Sequence, residues 1–191
     1  MKSLVVIMVV VLSGFALRAQ ENLLKNPGFE TLDPSKAGGV TDWVPFSEKG
    51  GPPLVVAASE GPQEGASAMK VAFAAPAEKF YGVTQVAPVK AGQAVKFGAQ
   101  VKNLTLSGDS YAQISLEWLG GPADQKKEVS RNWGPKIDAA TASTAGWKKL
   151  EMMAPVPEGA TDVVAVVTLF PGTSPAGAIL VDAASLTTLA K

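Results

Sequence analysis

Two side chains that carry much enzymatic chemistry are missing from this sequence, which contains no histidine and no cysteine. Serine–histidine–aspartate and cysteine–histidine nucleophile systems are thereby excluded. A zinc site would have to be built from carboxylates alone. One kind of chemistry survives that deletion. Paired carboxylates can hydrolyse glycosidic bonds, with Glu117 as one candidate member, but no second acid follows it at a motif-like spacing. No enzymatic activity is therefore expected. Aromatic residues are scarce: four Trp, two Tyr and seven Phe, with Phe15 in the N-terminal leader. One compact motif stands out early in the chain. Asn26-Pro27-Gly28-Phe29-Glu30 holds a turn, an aromatic and an acid in five positions.

The elements that must position these residues begin after a leader. MKSLVVIMVVVLSGFALRAQ has a basic start at Lys2, an unbroken apolar run from Leu4 to Val11, and small residues before a polar exit. That is the layout of a secretory signal over residues 1–19, with cleavage after Ala19. The run is shorter than the roughly 20 residues a membrane span needs, so no membrane anchor is expected and the mature chain is expected to be secreted, extracellular or periplasmic. Of 191 residues, 172 then remain, as one domain over 20–191. Without Lys2 and Arg18 there are 15 basic and 17 acidic side chains, a net charge near −2. Nothing in that balance suggests nucleic acid or an anionic membrane as partner.

Beyond the leader, short apolar–polar alternation is broken by Gly and Pro. Residues 54–59, 67–74, 81–89, 94–103, 111–119, 146–156, 162–170 and 178–186 each fit a strand. Turn material such as EGPQEG, KAGQ, LSGDS and PGTSPAG separates them. The Ala-rich stretch 137–146 is the best helix candidate, but its Thr and Ser content reads as loop. Eight short strands without helical crossovers imply an all-β, two-sheet antiparallel sandwich or barrel. In 94–101, Val95, Phe97, Ala99 and Val101 share one face, Lys96, Gly98 and Gln100 the other. Ile114, Leu116 and Trp118 likewise oppose Gln113, Ser115 and Glu117.

NLLKNPGFE, EGASAMKV, YGVTQVAPVKAGQAVKFGAQVK, GWKKLE, PVPEGAT and ILVDAASL, in that order, resemble the jelly-roll carbohydrate-binding modules joined to xylanases and glucanases, within the galactose-binding-like superfamily. The resemblance spans residues 21–186 and implies a two-sheet jelly roll that binds a polysaccharide or oligosaccharide on a concave face or loop edge. It also implies one structural calcium ion, held by Glu30, Glu64 and Asp182 with carbonyls of Gly28 and Ser67. Such an ion would clasp the first strand to the last. Against it, Ala183 stands where a second acid is common, and Glu30 and Asp182 are otherwise solvated or paired with Lys25 or Lys70.

For the ligand, the resemblance implies Tyr81 as the stacking aromatic, with Phe80 turned inward beside it. Trp118 lies at a strand end where the family places sugar contacts, although its alternation favours burial. Trp133, in the polar stretch RNWGPK, reads as an exposed loop residue able to touch ligand. Trp147 and Trp43 read as core or rim. Gln85, Gln100, Gln113 and Glu117 are expected on the outer sheet face as hydroxyl partners. A structural or adhesive sandwich without glycan binding is the alternative, since aromatics are few. The sequence gives no indication of oligomeric state.

Overall fold

The structure, a computed structural model, describes residues 20–35, 39–49, 54–58, 61–74, 78–142 and 146–189. The leader 1–19 lies outside the described residues. Among the described residues ten strands form: β1 (Val44–Ser47), β2 (Leu54–Ala58), β3 (Ala68–Ala74), β4 (Tyr81–Pro88), β5 (Ala94–Asn103), β6 (Tyr111–Gly120), β7 (Lys127–Asp138), β8 (Lys148–Pro155), β9 (Ala160–Phe170) and β10 (Ala176–Leu189). A single helical turn, α1 (Ala139–Ala142), follows β7 within the stretch expected to be loop. The eight expected strands are present, and β1 and β7 are additional.

The strands pair antiparallel into two five-stranded sheets, ordered β1-β4-β9-β6-β7 and β2-β3-β10-β5-β8. The expected two-sheet antiparallel jelly roll is what the chain adopts. The inward halves of the alternating strands meet between the sheets. Phe97, Ile114, Leu116, Trp118, Leu150, Leu169 and Leu186 are fully enclosed there. Each such side chain contributes about 1.5–3 kcal/mol of transfer free energy.

Both ends of the described chain lie side by side. Leu23 N–H donates to the Leu186 carbonyl at 2.7 Å, and Ala184 N–H donates to that of Pro27 at 2.9 Å. The Asn22 amide bridges Ala184 O and Leu186 N–H. A bulge in β10 between Asp182 and Ser185 frees Ala184 for this contact and leaves Ala183 at φ 45°.

The NPGFE stretch is the corner of this arrangement. A turn closes from Phe29 N–H to the Asn26 carbonyl at 3.1 Å. The strained φ values fall on Asn26 (45°) and Phe29 (57°), whereas Gly28 has no positive φ. Asn26 tolerates that region better than most residues. Its side chain also accepts from Thr31 N–H and donates to the carbonyls of Thr31 and Thr41. Phe29 drives inward, fully buried, with its ring 5.0 Å from that of Trp43. The motif therefore anchors the N-terminal segment across the end of the sandwich.

Candidate functional site

The sheet β1-β4-β9-β6-β7 turns one face to the core and the other outward. On β6 and β9 the outward set includes Gln113, Ser115, Glu117, Thr168 and Phe170. Phe46, Gly82, Thr168, Gln113 and Lys136 fall on one line across all five strands. Gly82 matters at this point. A Cβ there would stand 2.5 Å from the Val167 carbonyl oxygen and 2.6 Å from the Phe46 ring. Glycine is what lets that ring lie over the sheet.

A cleft of about 450 Å³ opens on this face. Phe46 and Phe80, ring centroids 6.1 Å apart, form one side. Trp133, Arg131 and Glu117 form the other, with Thr168 and Phe170 of the central strand between them. Trp133 is 52 % exposed, tilted against Phe170 at 6.2 Å and capped by the Arg131 guanidinium 5.1 Å from its ring centroid. Tyr111 extends the aromatic band by stacking on Phe170 at 4.6 Å, under the ammonium of Lys136. Arg131 pairs with both Glu117 and Glu128 at 2.9 Å. Burial in the cleft wall pushes the Glu117 carboxyl above the usual glutamate value of 4.5; the Arg131 charge opposes the shift and Glu128 adds to it. Aromatic faces flanking a hydroxyl and a fixed ion pair match the two needs of a sugar ring, an apolar surface for its C–H faces and polar groups for its hydroxyls.

No family model matches the sequence, and no curated protein matches it. Among solved structures, the CBM22-1 xylan-binding domain from Paenibacillus barcinonensis Xyn10C superposes with a TM-score of 0.59 at 16% identity, covering 92% of this chain and 99% of that one. TmCBM61 in complex with β-1,4-galactotriose gives 0.57 at 16% identity, covering 88% and 99%. This chain shares the two-sheet jelly-roll fold of these carbohydrate-binding modules. The same fold recurs inside larger proteins. The enzymatically active domain of bacteriophage CBA120 tailspike protein 4 matches with a TM-score of 0.62 at 13% identity, and this chain spans 21% of it.

Within this fold, the sequence-expected ligand residues divide three ways. Glu117, Gln113 and Trp133 lie together on the outward face. Trp133 does so from strand β7, not from a loop, and the Gln113 amide donates to the Gly134 carbonyl at 2.8 Å. Tyr81, Gln85 and Trp118 are corrections. Tyr81 is 7 % exposed and faces the core with Val83, Gln85 and Ala87, stacked on Phe73 at 5.8 Å. Its hydroxyl accepts from Glu78 N–H. The expected roles of Phe80 and Tyr81 are thus exchanged, with Phe80 in the cleft. Gln85 is buried and pairs with both backbone groups of Lys25, fixing the N-terminal segment. Trp118 is 0 % exposed and donates its indole N–H to Asn132 Oδ1, as its alternation requires. Gln100 belongs to β5 of the other sheet, opposite Asp182 and Lys149, and takes no part in the cleft. Phe46, Phe80, Arg131, Thr168 and Phe170 were not anticipated as site residues.

Two of the acids expected at a calcium site, which would call for six to eight oxygens, accept backbone N–H groups. Asp182, fully buried, accepts from Gln63 and Glu64 N–H at Oδ2 (2.8 and 3.0 Å) and from Ala183 N–H at Oδ1. Glu30 Oε1 accepts from Ala66 and Ser67 N–H at 2.9 and 3.1 Å. Amide hydrogens already point at these oxygens. Glu64 and Ser67 enter this network through their N–H groups, while Gly28 lies beside the Glu30 side chain. Among the described residues no three His, Cys, Asp or Glu side chains gather into a metal-binding group. The clasp between the chain ends is present, closed by hydrogen bonds. Gly65, at φ 64°, sits where any Cβ would collide with the Glu30 carboxylate, so the loop 61–67 fits this corner only with glycine there.

Proposed function

We propose that this protein binds a polysaccharide or oligosaccharide in the aromatic cleft of the β1-β4-β9-β6-β7 sheet, without catalysing a reaction on it, after export to the extracellular or periplasmic space. The observation that carries the reading is the half-exposed Trp133 facing Phe46 and Phe80 across a cleft that also holds Glu117, Arg131 and Thr168. A binding site that kept only a scaffold role would have no need to leave an indole open beside an ion pair. Glu117 is the one carboxylate among the described residues lining the cleft, and it is tied to Arg131. That supports recognition over two-carboxylate hydrolysis. The leader sequence supports export, and the relatives of this fold that bind xylan and β-1,4-galactotriose make β-linked plant polysaccharides the first ligands to try.

Calorimetric titration against xylan, galactan, β-glucan and mannan tests the reading. At least one should bind, and Trp133→Ala should weaken it tenfold or more, about 1.4 kcal/mol, with little change in thermal midpoint because the ring is half in water. Binding to none of these glycans, or an affinity indifferent to Trp133→Ala, would remove the proposal.

A further inference from the structure

One polar atom on the outward face of this sheet, in register with Trp133 of the cleft, lacks a partner. Ser115 is 1 % exposed, and its Oγ is the only buried side-chain polar atom among the described residues with no hydrogen-bond partner. It does not belong to the core: Ile114 and Leu116 on either side face inward, while Ser115 is on the outward face with Gln113 and Glu117. Its register neighbours are Trp133 on β7 and Val166 on β9. Gln113 is committed to the Gly134 carbonyl and Glu117 to Arg131, so neither neighbour on its own strand serves the hydroxyl. A buried, unpaired hydroxyl is a standing cost to the fold, and an isosteric Ala would avoid it.

We propose that Ser115 Oγ is a specificity-determining contact of the glycan site, covered in the free protein by Trp133 and uncovered when that ring shifts to stack on a sugar. The proposal rests on the glycan-binding reading above and extends it to a named hydroxyl-to-hydroxyl contact. Trp133 suits the part of a movable cover. It is half-exposed and held by ring contacts to Phe170 and Arg131, which a sugar face can replace with similar contacts. A ring with a hydroxyl beside its stacked face then gives Ser115 its missing partner. The analogue lacking that hydroxyl leaves the serine unpaired, so discrimination follows from the same orphan.

Ser115→Ala separates this idea from a merely structural serine. With soluble xylan and β-1,4-galactotriose as probes, the variant is expected to bind five- to tenfold more weakly than wild type while its thermal midpoint stays level or rises. Acrylamide quenching of tryptophan fluorescence should also differ between free and bound wild type, since Trp43 and Trp118 are buried, Trp147 before β8 is partly buried, and Trp133 is the most exposed indole. Unchanged affinity in Ser115→Ala, or a fall in affinity matched by a lowered midpoint, overturns the proposal and leaves the cleft reading standing. Failure of the wild type to bind either probe overturns the proposal, and failure to bind β-glucan and mannan as well overturns both.

Discussion

Replacing Asp182 with alanine is expected to cost about 3–5 kcal/mol of unfolding free energy, the range for stripping a buried charge network of one member. The carboxylate is wholly enclosed and accepts three amide hydrogens, two from the loop 61–67 and one from its own bulge. Alanine leaves all three N–H groups without acceptors and opens a small cavity beside them. For a domain with a total stability of about 5–15 kcal/mol, that is a large share. Asp182→Asn keeps one carbonyl oxygen but turns an N–H₂ toward a donor, so it should fall between the two. Urea unfolding gives the free energies, and limited proteolysis should cut the variant first within 61–67. The hydrogen-bonded clasp carries a second expectation: adding calcium or chelator should leave the wild-type midpoint unchanged. A midpoint that climbs with calcium and drops with chelator would mean that an ion, not the amides, holds this corner.

Much of the fold could be read from alternation alone, because β5 and β6 bury every second residue. Val95, Phe97, Ala99 and Val101, then Ile114, Leu116 and Trp118, declare their face without ambiguity. β7 gave no such signal. Lys127–Asp138 is an edge strand, exposed along nearly its whole length, with Gly134 and Pro135 in its run. An edge strand with solvent on most of its surface is under no pressure to alternate. Its loss from the sequence reading removed Arg131 from view and made Trp133 a loop residue. β1, four residues long at the opposite edge, hid Phe46 in the same way.

The misplacement of Tyr81 and Gln85 had a different origin, and the signal against it was available. In a strand, residues 81, 83, 85 and 87 share a face, and Val83 and Ala87 mark that face as core. Phe80, one position earlier, then had to look outward. Gln100 illustrates a limit of periodicity itself. Alternation says that a side chain leaves the core, but not from which sheet, so Gln100 and Gln113 were grouped although they leave opposite sides of the sandwich. The clasp was legible as a pairing of chain ends. Whether carboxylate oxygens there meet a cation or an amide hydrogen depends on the path of the loop 61–67, which residue types do not encode.

Phe29→Ala is expected to destabilise the fold by about 3–5 kcal/mol, the usual cost of removing a fully enclosed phenylalanine ring. The ring packs 5.0 Å from Trp43, whose indole N–H donates to the Asn26 carbonyl at 3.2 Å, so the loss should loosen the turn and its tryptophan together. The backbone adds an unusual feature. Phe29 sits at φ 57°, a conformation that costs an L-residue about 1–2 kcal/mol and glycine almost nothing. Alanine deletes the ring and keeps that strain, whereas glycine deletes the ring and relieves it. Phe29→Gly should therefore be no less stable than Phe29→Ala, reversing the order found in strands, where glycine is the worse by about 0.5–1 kcal/mol. Equilibrium urea curves for the two variants read the order directly, and a change in Trp43 emission reports the loosened turn. Glycan affinity, measured well below the unfolding transition, should stay near wild type in both, since the cleft lies on a different set of side chains. Glycine clearly below alanine would show that the positive φ is not a feature of Phe29 in solution, and an alanine variant within 1 kcal/mol of wild type would remove the anchor role of the NPGFE turn.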